Sequence, residues 1–531
     1  MTDVLPDLLA RRAQHAPDAI ALEYRQTRLG YGDLWECVQR LAGALLSCPL
    51  GADERIAVYL EKRPEAVIAL FASAAAGGVF VPVNPLLKAH QVEHLLRDCK
   101  VRYLVTSASR LRTLGEALPH CPNLHGVILV DAGAASPTHM EVLRWDELLA
   151  RGGSPRLPRR IDTDLAAILY TSGSTGRPKG VVLSHRNMVA GAESVSTYLG
   201  NTADDALLAV LPLSFDYGLS QLTTAFRVGA RAVLMNYLLP RDVIRAVERH
   251  RITGLAAVPP LWNQLAQLPW PEGVTEHLRY LTNSGGAMPR STLESLRQAL
   301  PRTKVFLMYG LTEAFRSTYL PPEEVDRRPD SMGRAIPNAE VMVVREDGSP
   351  CAPNEPGELV HRGALVALGY WNDPDKTAER FRPAPGRPGE IPLTEMAVWS
   401  GDTVRADEEG FLYFIGRRDE MIKTSGYRVS PNEVEEVIYA TGLVGDAAAV
   451  GVPHPTLGQA IVLFAAPKSG QAAPTPQDLT AACQQALPAF MVPARLELRD
   501  QPLPRNPNGK IDRKRLATEV AEIFMPQDTP S

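Results

Sequence analysis

The run Tyr170-Thr171-Ser172-Gly173-Ser174-Thr175-Gly176-Arg177-Pro178-Lys179-Gly180 packs three glycines, four Ser/Thr hydroxyls and two cations together. Those types suit a polyphosphate. Glycines let main-chain N–H groups come close, hydroxyls add donors, and Lys179 adds a mobile positive charge. Turn chemistry alone does not call for the cations. The run is not a Walker loop: Pro178 stands where the second glycine belongs, and Gly180 follows the lysine in place of Ser or Thr. The apolar lead-in Leu165 to Tyr170 and the exit Val181-Val182-Leu183 both read as strands, so no helix dipole opens here.

This run resembles the phosphate loop of the adenylate-forming superfamily: acyl- and aryl-CoA ligases, nonribosomal peptide adenylation domains and beetle luciferases. The resemblance implies that Thr171, Ser172, Gly173, Ser174, Thr175, Gly176 and Lys179 hold ATP, with Thr175 near Mg2+. Further stretches resemble the superfamily's other motifs, in order, across nearly the whole chain. Ser284-Gly285-Gly286-Ala287-Met288-Pro289 matches the adenine-side turn, where small residues let a flat base lie on backbone. In Tyr309-Gly310-Leu311-Thr312-Glu313 the resemblance has Tyr309 stacking on adenine, Thr312 contacting phosphate and Glu313 holding Mg2+. An aromatic face, a hydroxyl donor and a hard oxygen ligand fit those tasks. A helix start capped by Thr312 is the structural alternative.

Gly357-Glu358-Leu359 and Gly369-Tyr370-Trp371 resemble a structural motif and carry no assigned chemistry. Ser400-Gly401-Asp402 matches the ribose turn; a carboxylate suits a vicinal diol because it accepts two bonds at once. By resemblance Arg417 touches ribose or phosphate, and Asp419 is a hinge. Lone charges near turns are otherwise solvated. Lys423 and Gly426 match the hairpin that serves thioester formation, Gly426 leaving room for a pantetheine arm. Lys510, in Asn506-Pro507-Asn508-Gly509-Lys510, matches the catalytic lysine that bridges the attacking carboxylate and the α-phosphate. Such a point cation contributes about 3–4 kcal/mol, by analogy with a single oxyanion donor.

Leu213-Ser214-Phe215-Asp216-Tyr217-Gly218 occupies the acid-pocket motif, and Gly310 joins it. Many acyl- and aryl-CoA ligases carry histidine where Phe215 stands; amino-acid adenylation domains often read Phe-Asp, the aspartate holding the substrate ammonium. Asp216 therefore marks an amino or cationic substrate, or else caps a helix beginning near Gly218. Arg316 meets a second carboxylate or is solvated. The stretch Met421 to Pro431 lacks the usual peptide-synthetase wording and favours the CoA-ligase branch. With Ser214-Phe215-Asp216 it is similar to AMP-forming ligases found with bacterial exosortase and exopolysaccharide systems.

The resemblance implies an ATP-dependent ligase. It turns a small carboxylic acid into an acyl-adenylate and passes the acyl group to coenzyme A. The alternative is a stand-alone enzyme loading an amino or acyl group onto the phosphopantetheine of a separate carrier protein, since no carrier segment follows Lys510. A third reading is a degenerate nucleotide-binding scaffold; the presence of Lys179, Thr312, Glu313, Asp402, Arg417 and Lys510 together argues against it.

These residues need a frame to hold them. With 531 residues, two or more domains are expected. Short apolar runs (Arg55 to Leu60, Tyr103 to Thr106, Gly126 to Val130) alternate with helical patterns (Gln91 to Cys99, Pro240 to His250), which predicts an α/β fold. The expected division is a large adenylation domain, residues 1–418, with mixed and parallel sheets packed by helices, and a small mobile α+β domain, residues 419–531. The small domain's first helix is marked by Ser430 as N-cap, Pro431 at the first position and Glu433 completing a capping box. Ala66 to Val83 is uncharged and long enough to score as a membrane span, but Gly77-Gly78 and Pro82 make it a buried helix, a turn and a strand. The net charge of −4 gives no basic field for nucleic acid or membrane surface. Six scattered cysteines without a CxxC pair, and no signal-type start, predict reduced thiols in a cytoplasmic protein.

Overall fold

The structure is a computed structural model and describes residues 3–131, 140–153, 156–171, 178–388, 390–417, 420–424, 427–468 and 473–524. The expected α/β architecture is present, with mixed sheets. In the largest, strands Arg231–Leu234, Ala206–Ala209, Gly254–Ala257, Tyr280–Asn283 and Lys304–Tyr309 run side by side, all parallel. The sheet continues antiparallel through Thr318–Leu320 and Ser331–Ala335 to Leu412–Arg417, Met396–Ala406 and Gly357–Gly363. Both faces of the parallel part are covered by helices, so its strands are continuously apolar and buried.

A second sheet places Leu165–Thr171 between Val79–Pro82, which is parallel to it, and Lys179–Ser184, which is antiparallel. The uncharged stretch from Ala66 resolves as expected. Helix Pro64–Ala75 starts on a proline, buries nearly every side chain and stops before Gly77, whose φ of +79° opens the turn into Val79–Pro82. Among the described residues no helix is long and apolar enough to cross a membrane.

A third, smaller sheet is built from Ile422–Thr424, Tyr427–Val429, Val444–His454, Gly458–Pro467 and Arg495–Leu498. Helices Pro431–Ala440 and Pro476–Ala486 cover one face over Ile422, Val434, Ile438 and Leu463. Helix Arg513–Glu519 covers the other over Val450, Phe464 and Leu516. One local expectation fails. Ser430 is the N-cap of Pro431–Ala440, but its side chain makes no capping bond. Its Oγ is buried and faces the strand at Gly416, where a Cβ would stand 3.7 Å away; packing against that strand has displaced the capping box.

Candidate active site

The phosphate-loop residues Ser172, Gly173, Ser174, Thr175 and Gly176 lie outside the described residues, as do Asp419 and Gly426. The two ends of the loop are described. Thr171 and Lys179 are register partners in the antiparallel pair that closes it. Beneath them the strand is pinned: the Tyr170 hydroxyl donates to Asp98, and Trp371 Nε1 donates to the Asp98 carbonyl at 2.9 Å. The Lys179 ammonium lies 5.0 Å from the centre of the Tyr370 ring. Burial, then the nearby Lys376 and Arg380, push its pKa down, while Glu313 opposes that shift. The Tyr370 hydroxyl donates to Glu313 Oε1 at 2.5 Å. Sequence reasoning gave Tyr370 no chemistry; the Gly369-Tyr370-Trp371 run was the available signal.

The parallel strands deliver the next groups from their C-terminal ends, where open α/β sheets place ligands. Tyr280–Asn283 runs into Ser284 and Gly285, the latter at φ +83°; Gly286 and Ala287 follow, both exposed. Lys304–Tyr309 runs into Gly310 and Thr312. The Tyr309 hydroxyl donates to Asp402 Oδ2 at 2.5 Å. Asp402 is 4% exposed, so it is not a solvated charge. Its Oδ1 stands 3.3 Å from Arg417 Nε yet has no hydrogen-bond partner among the described residues. A buried carboxylate oxygen left with open acceptor capacity is what a hydroxyl pair would complete.

At the acid end, helix Asp216–Val228 begins on Asp216 itself, with Phe215 as N-cap and no side-chain cap bond. The capping alternative for Asp216 therefore fails. Its carboxylate is 4% exposed and accepts from the Thr312 hydroxyl at 3.2 Å. Burial raises its pKa, opposed first by Arg316 and then by Lys510. Thr312 is likewise no cap, since its hydroxyl is spent on Asp216. Arg316, one alternative for which was solvation, is 1% exposed. Gly310 leaves it room: a Cβ there would stand 3.3 Å from Arg316 Nη1.

Lys510 arrives from the small sheet's side. Asn506 Oδ1 accepts from the backbone N–H groups of Asn508 and Lys510, at 3.0 and 3.1 Å, and so folds a tight turn with the lysine at its tip. The Arg505–Asp446 ion pair at 2.7 Å anchors that turn, and Asn84 Nδ2 donates across to the Pro507 carbonyl at 2.9 Å. The ammonium lies 5.6 Å from the centre of the Phe215 ring, within cation–π range. Burial and Arg417 lower its pKa; Asp216 opposes. The structure thus gathers Lys510, Asp216, Phe215, Thr312 and Gly285 at one place. Lys423 is not among them: it is exposed on Ile422–Thr424.

Among the described residues no cluster of three or more His, Cys, Asp or Glu could hold a metal alone. Mg2+ does not need one, because it is bound through one or two carboxylates plus substrate phosphates. Glu313, oriented by Tyr370 beside Lys179, fits that demand.

The AMP-binding enzyme family matches residues 9–371, and the AMP-binding enzyme C-terminal domain matches residues 433–510. The chain belongs to the AMP-binding enzyme family. It is 27% identical over 549 residues to a long-chain-fatty-acid–CoA ligase of Bacillus subtilis, covering 98% of this chain and 95% of that one. Among solved structures it is similar to ATP-bound MatB from Rhodopseudomonas palustris, with TM-score 0.85, 26% identity, and 98% and 99% of the two chains covered. It is also similar to the o-succinylbenzoate–CoA synthetase MenE of Bacillus subtilis in complex with ATP and magnesium, with TM-score 0.80, 27% identity, and 96% and 98% covered.

Proposed function

We propose that this chain is an AMP-forming acid–thiol ligase whose acceptor is coenzyme A. The observation that carries the reading is the seat of Lys510, held against Phe215 and facing Asp216, with its pKa depressed by burial. A carboxylate is a poor acyl donor because its leaving group is an oxide. Its attack on the ATP α-phosphate expels pyrophosphate and leaves the acyl group on AMP. Lys510 offsets the negative charge that builds between carboxylate and phosphate, and Thr312 offers a hydroxyl beside it. Asp402 receives the ribose hydroxyls and Arg417 lies next to it. Lys179 and Glu313 face the phosphates, and Mg2+ held by Glu313 supplies further charge neutralisation. The thiol then attacks the mixed anhydride and AMP leaves.

One pocket cannot present both half-reactions at once. The residues after Asp419 turn as a unit and exchange Lys510 for the Lys423–Gly426 hairpin. All six cysteines are free thiols, which fits a cytoplasmic enzyme. Asp216 favours a second reading, in which an amino acid is activated and a separate phosphopantetheine carrier accepts it. The test is acid-dependent pyrophosphate release with hydroxylamine as trap, followed by transfer to coenzyme A or to a loaded carrier. Turnover with coenzyme A supports the first reading; turnover of amino acids with transfer only to a carrier supports the second. Tight ATP binding with no turnover on any acid would sink both.

A further inference from the structure

Beside Asp216, over the residues of the acid-pocket motif, lies a second cation. Arg316 is 1% exposed, and among the described residues no carboxylate lies within ion-pair distance of it. Its Nη1 donates to Ser284 Oγ at 3.2 Å and its Nη2 reaches Ser220 Oγ at 3.5 Å. Its guanidinium covers the Tyr217 ring at 4.7 Å, and its Nε is buried with no partner among the described residues. Asp216 feels the charge of Arg316 more strongly than that of Lys510, but it stands beyond ion-pair distance of the guanidinium and accepts its hydrogen bond from Thr312.

The chain accepts backbone strain to put the arginine there. Phe315 adopts φ +56° and ψ −51°, in the left-handed half of conformational space, between the Thr312–Ala314 turn and Arg316. A non-glycine residue held so costs on the order of 1–3 kcal/mol, and such strain gathers at functional sites. A guanidinium shut away from water with serine hydroxyls as its hydrogen-bond partners is costly as well. An apolar acyl chain passing beside it would leave that cost in place. An oxygen anion would remove it, because the planar fork of N–H groups matches a carboxylate two bonds at a time.

From this we infer that Arg316 sets the specificity of the acid pocket, and that the acid selected is a short dicarboxylic acid whose second carboxylate is the counter-ion of Arg316. The inference rests on the acid-activating reading above and narrows its substrate.

The experiment is acid-dependent pyrophosphate release by the full chain on four matched sets: dicarboxylic acids of three to six carbons, monocarboxylic acids of equal length, long fatty acids, and amino acids with apolar side chains. The expected result is a preference for a dicarboxylic acid over its monocarboxylic equivalent of about 100-fold or more in kcat/KM. Arg316→Met should reverse that ratio while leaving KM for ATP unchanged, and Arg316→Lys should fall between. A melting-temperature rise with ATP and Mg2+ reports that each variant is folded, and the wild-type panel decides even if neither variant folds. Equal or better turnover of monocarboxylic, fatty or apolar amino acids by the wild type overturns the inference and spares the ligase reading. Retention of the dicarboxylate preference by Arg316→Met also overturns it. Absence of pyrophosphate release with every acid takes down both.

Discussion

The Tyr370 hydroxyl reaches Glu313 Oε1 at 2.5 Å while the face of the same ring lies 5.0 Å from the Lys179 ammonium. One side chain thus orients both the proposed Mg2+ carboxylate and the proposed phosphate cation. Phenylalanine at 370 keeps the ring and loses the donor. A hydrogen bond to a charged group contributes about 1.5–3 kcal/mol, so Tyr370→Phe should raise the Mg2+ concentration for half-maximal pyrophosphate release about tenfold or more. Tyr370→Leu should raise KM for ATP as well, because Lys179 then loses its platform. Titrations of Mg2+ and ATP separate the two effects. An unchanged Mg2+ requirement in Tyr370→Phe would leave the hydroxyl without a role, and identical behaviour of the two variants would leave the ring face without one.

Lys510 lies so close to Gly285 that a Cβ there would stand 3.0 Å from the lysine Cε. Gly285 also sits at φ +83°, which L side chains rarely adopt. Lys510→Ala should abolish adenylate formation, a loss of about 100-fold or more, yet spare thioester formation from supplied acyl-adenylate. Gly285→Ala should slow the first half-reaction in the same selective way, since it displaces the lysine and strains the turn. Single-turnover assays of each half-reaction check both variants. Equal loss of both steps in Lys510→Ala would count against the two-state exchange.

The local signals carried much of this site. The strands that enter and leave the phosphate loop were legible because apolar runs flank it, and the turn at Gly285 because two glycines stand together there. Arg316 was not legible as a buried residue. It stands among Ser317 and Thr318, a polar context that reads as surface, and only the Phe315 turn sends it inward. Tyr370 meets Glu313 across 57 residues, a distance over which spacing says nothing. The sheet order was hidden for a similar reason: Ala206–Ala209 lies between Arg231–Leu234 and Gly254–Ala257, a crossover set by packing of the connecting helices and not by any local pattern. Ser430 shows the reverse failure, where a sound local rule for capping yielded to contact with the strand at Gly416.

His361 is fully buried, with Nδ1 2.8 Å from Ser317 Oγ and Nε2 without a partner among the described residues. Burial pushes its pKa down to about 4. The unfolded chain takes up a proton near pH 6.5 and the folded chain resists until about 4, so stability falls as pH drops through that window. The full loss from this group is about 3 kcal/mol. Thermal melts between pH 7 and pH 4.5 should show a steeper decline for the wild type than for His361→Gln, even if the variant is less stable at pH 7. Parallel curves would mean that His361 is protonated in the folded chain.

Asn84 is 6% exposed and donates from Nδ2 to the Pro507 carbonyl at 2.9 Å, which ties the segment after strand Val79–Pro82 to the turn that carries Lys510. Its Oδ1 is engaged by the backbone N–H of Leu86 at 2.9 Å, so the side chain is held in place by its own loop independently of the turn. Removing it leaves the Pro507 carbonyl short of a donor only while the turn is seated. A single such bond contributes about 1 kcal/mol, so Asn84→Ala should slow adenylate formation about fivefold. Thioester formation should not slow, and it should speed up if withdrawal of Lys510 limits it. Rapid-quench measurement of both half-reactions decides the matter. A variant slowed equally in both would place Asn84 in the fold of its own loop and not in the closure over the acid.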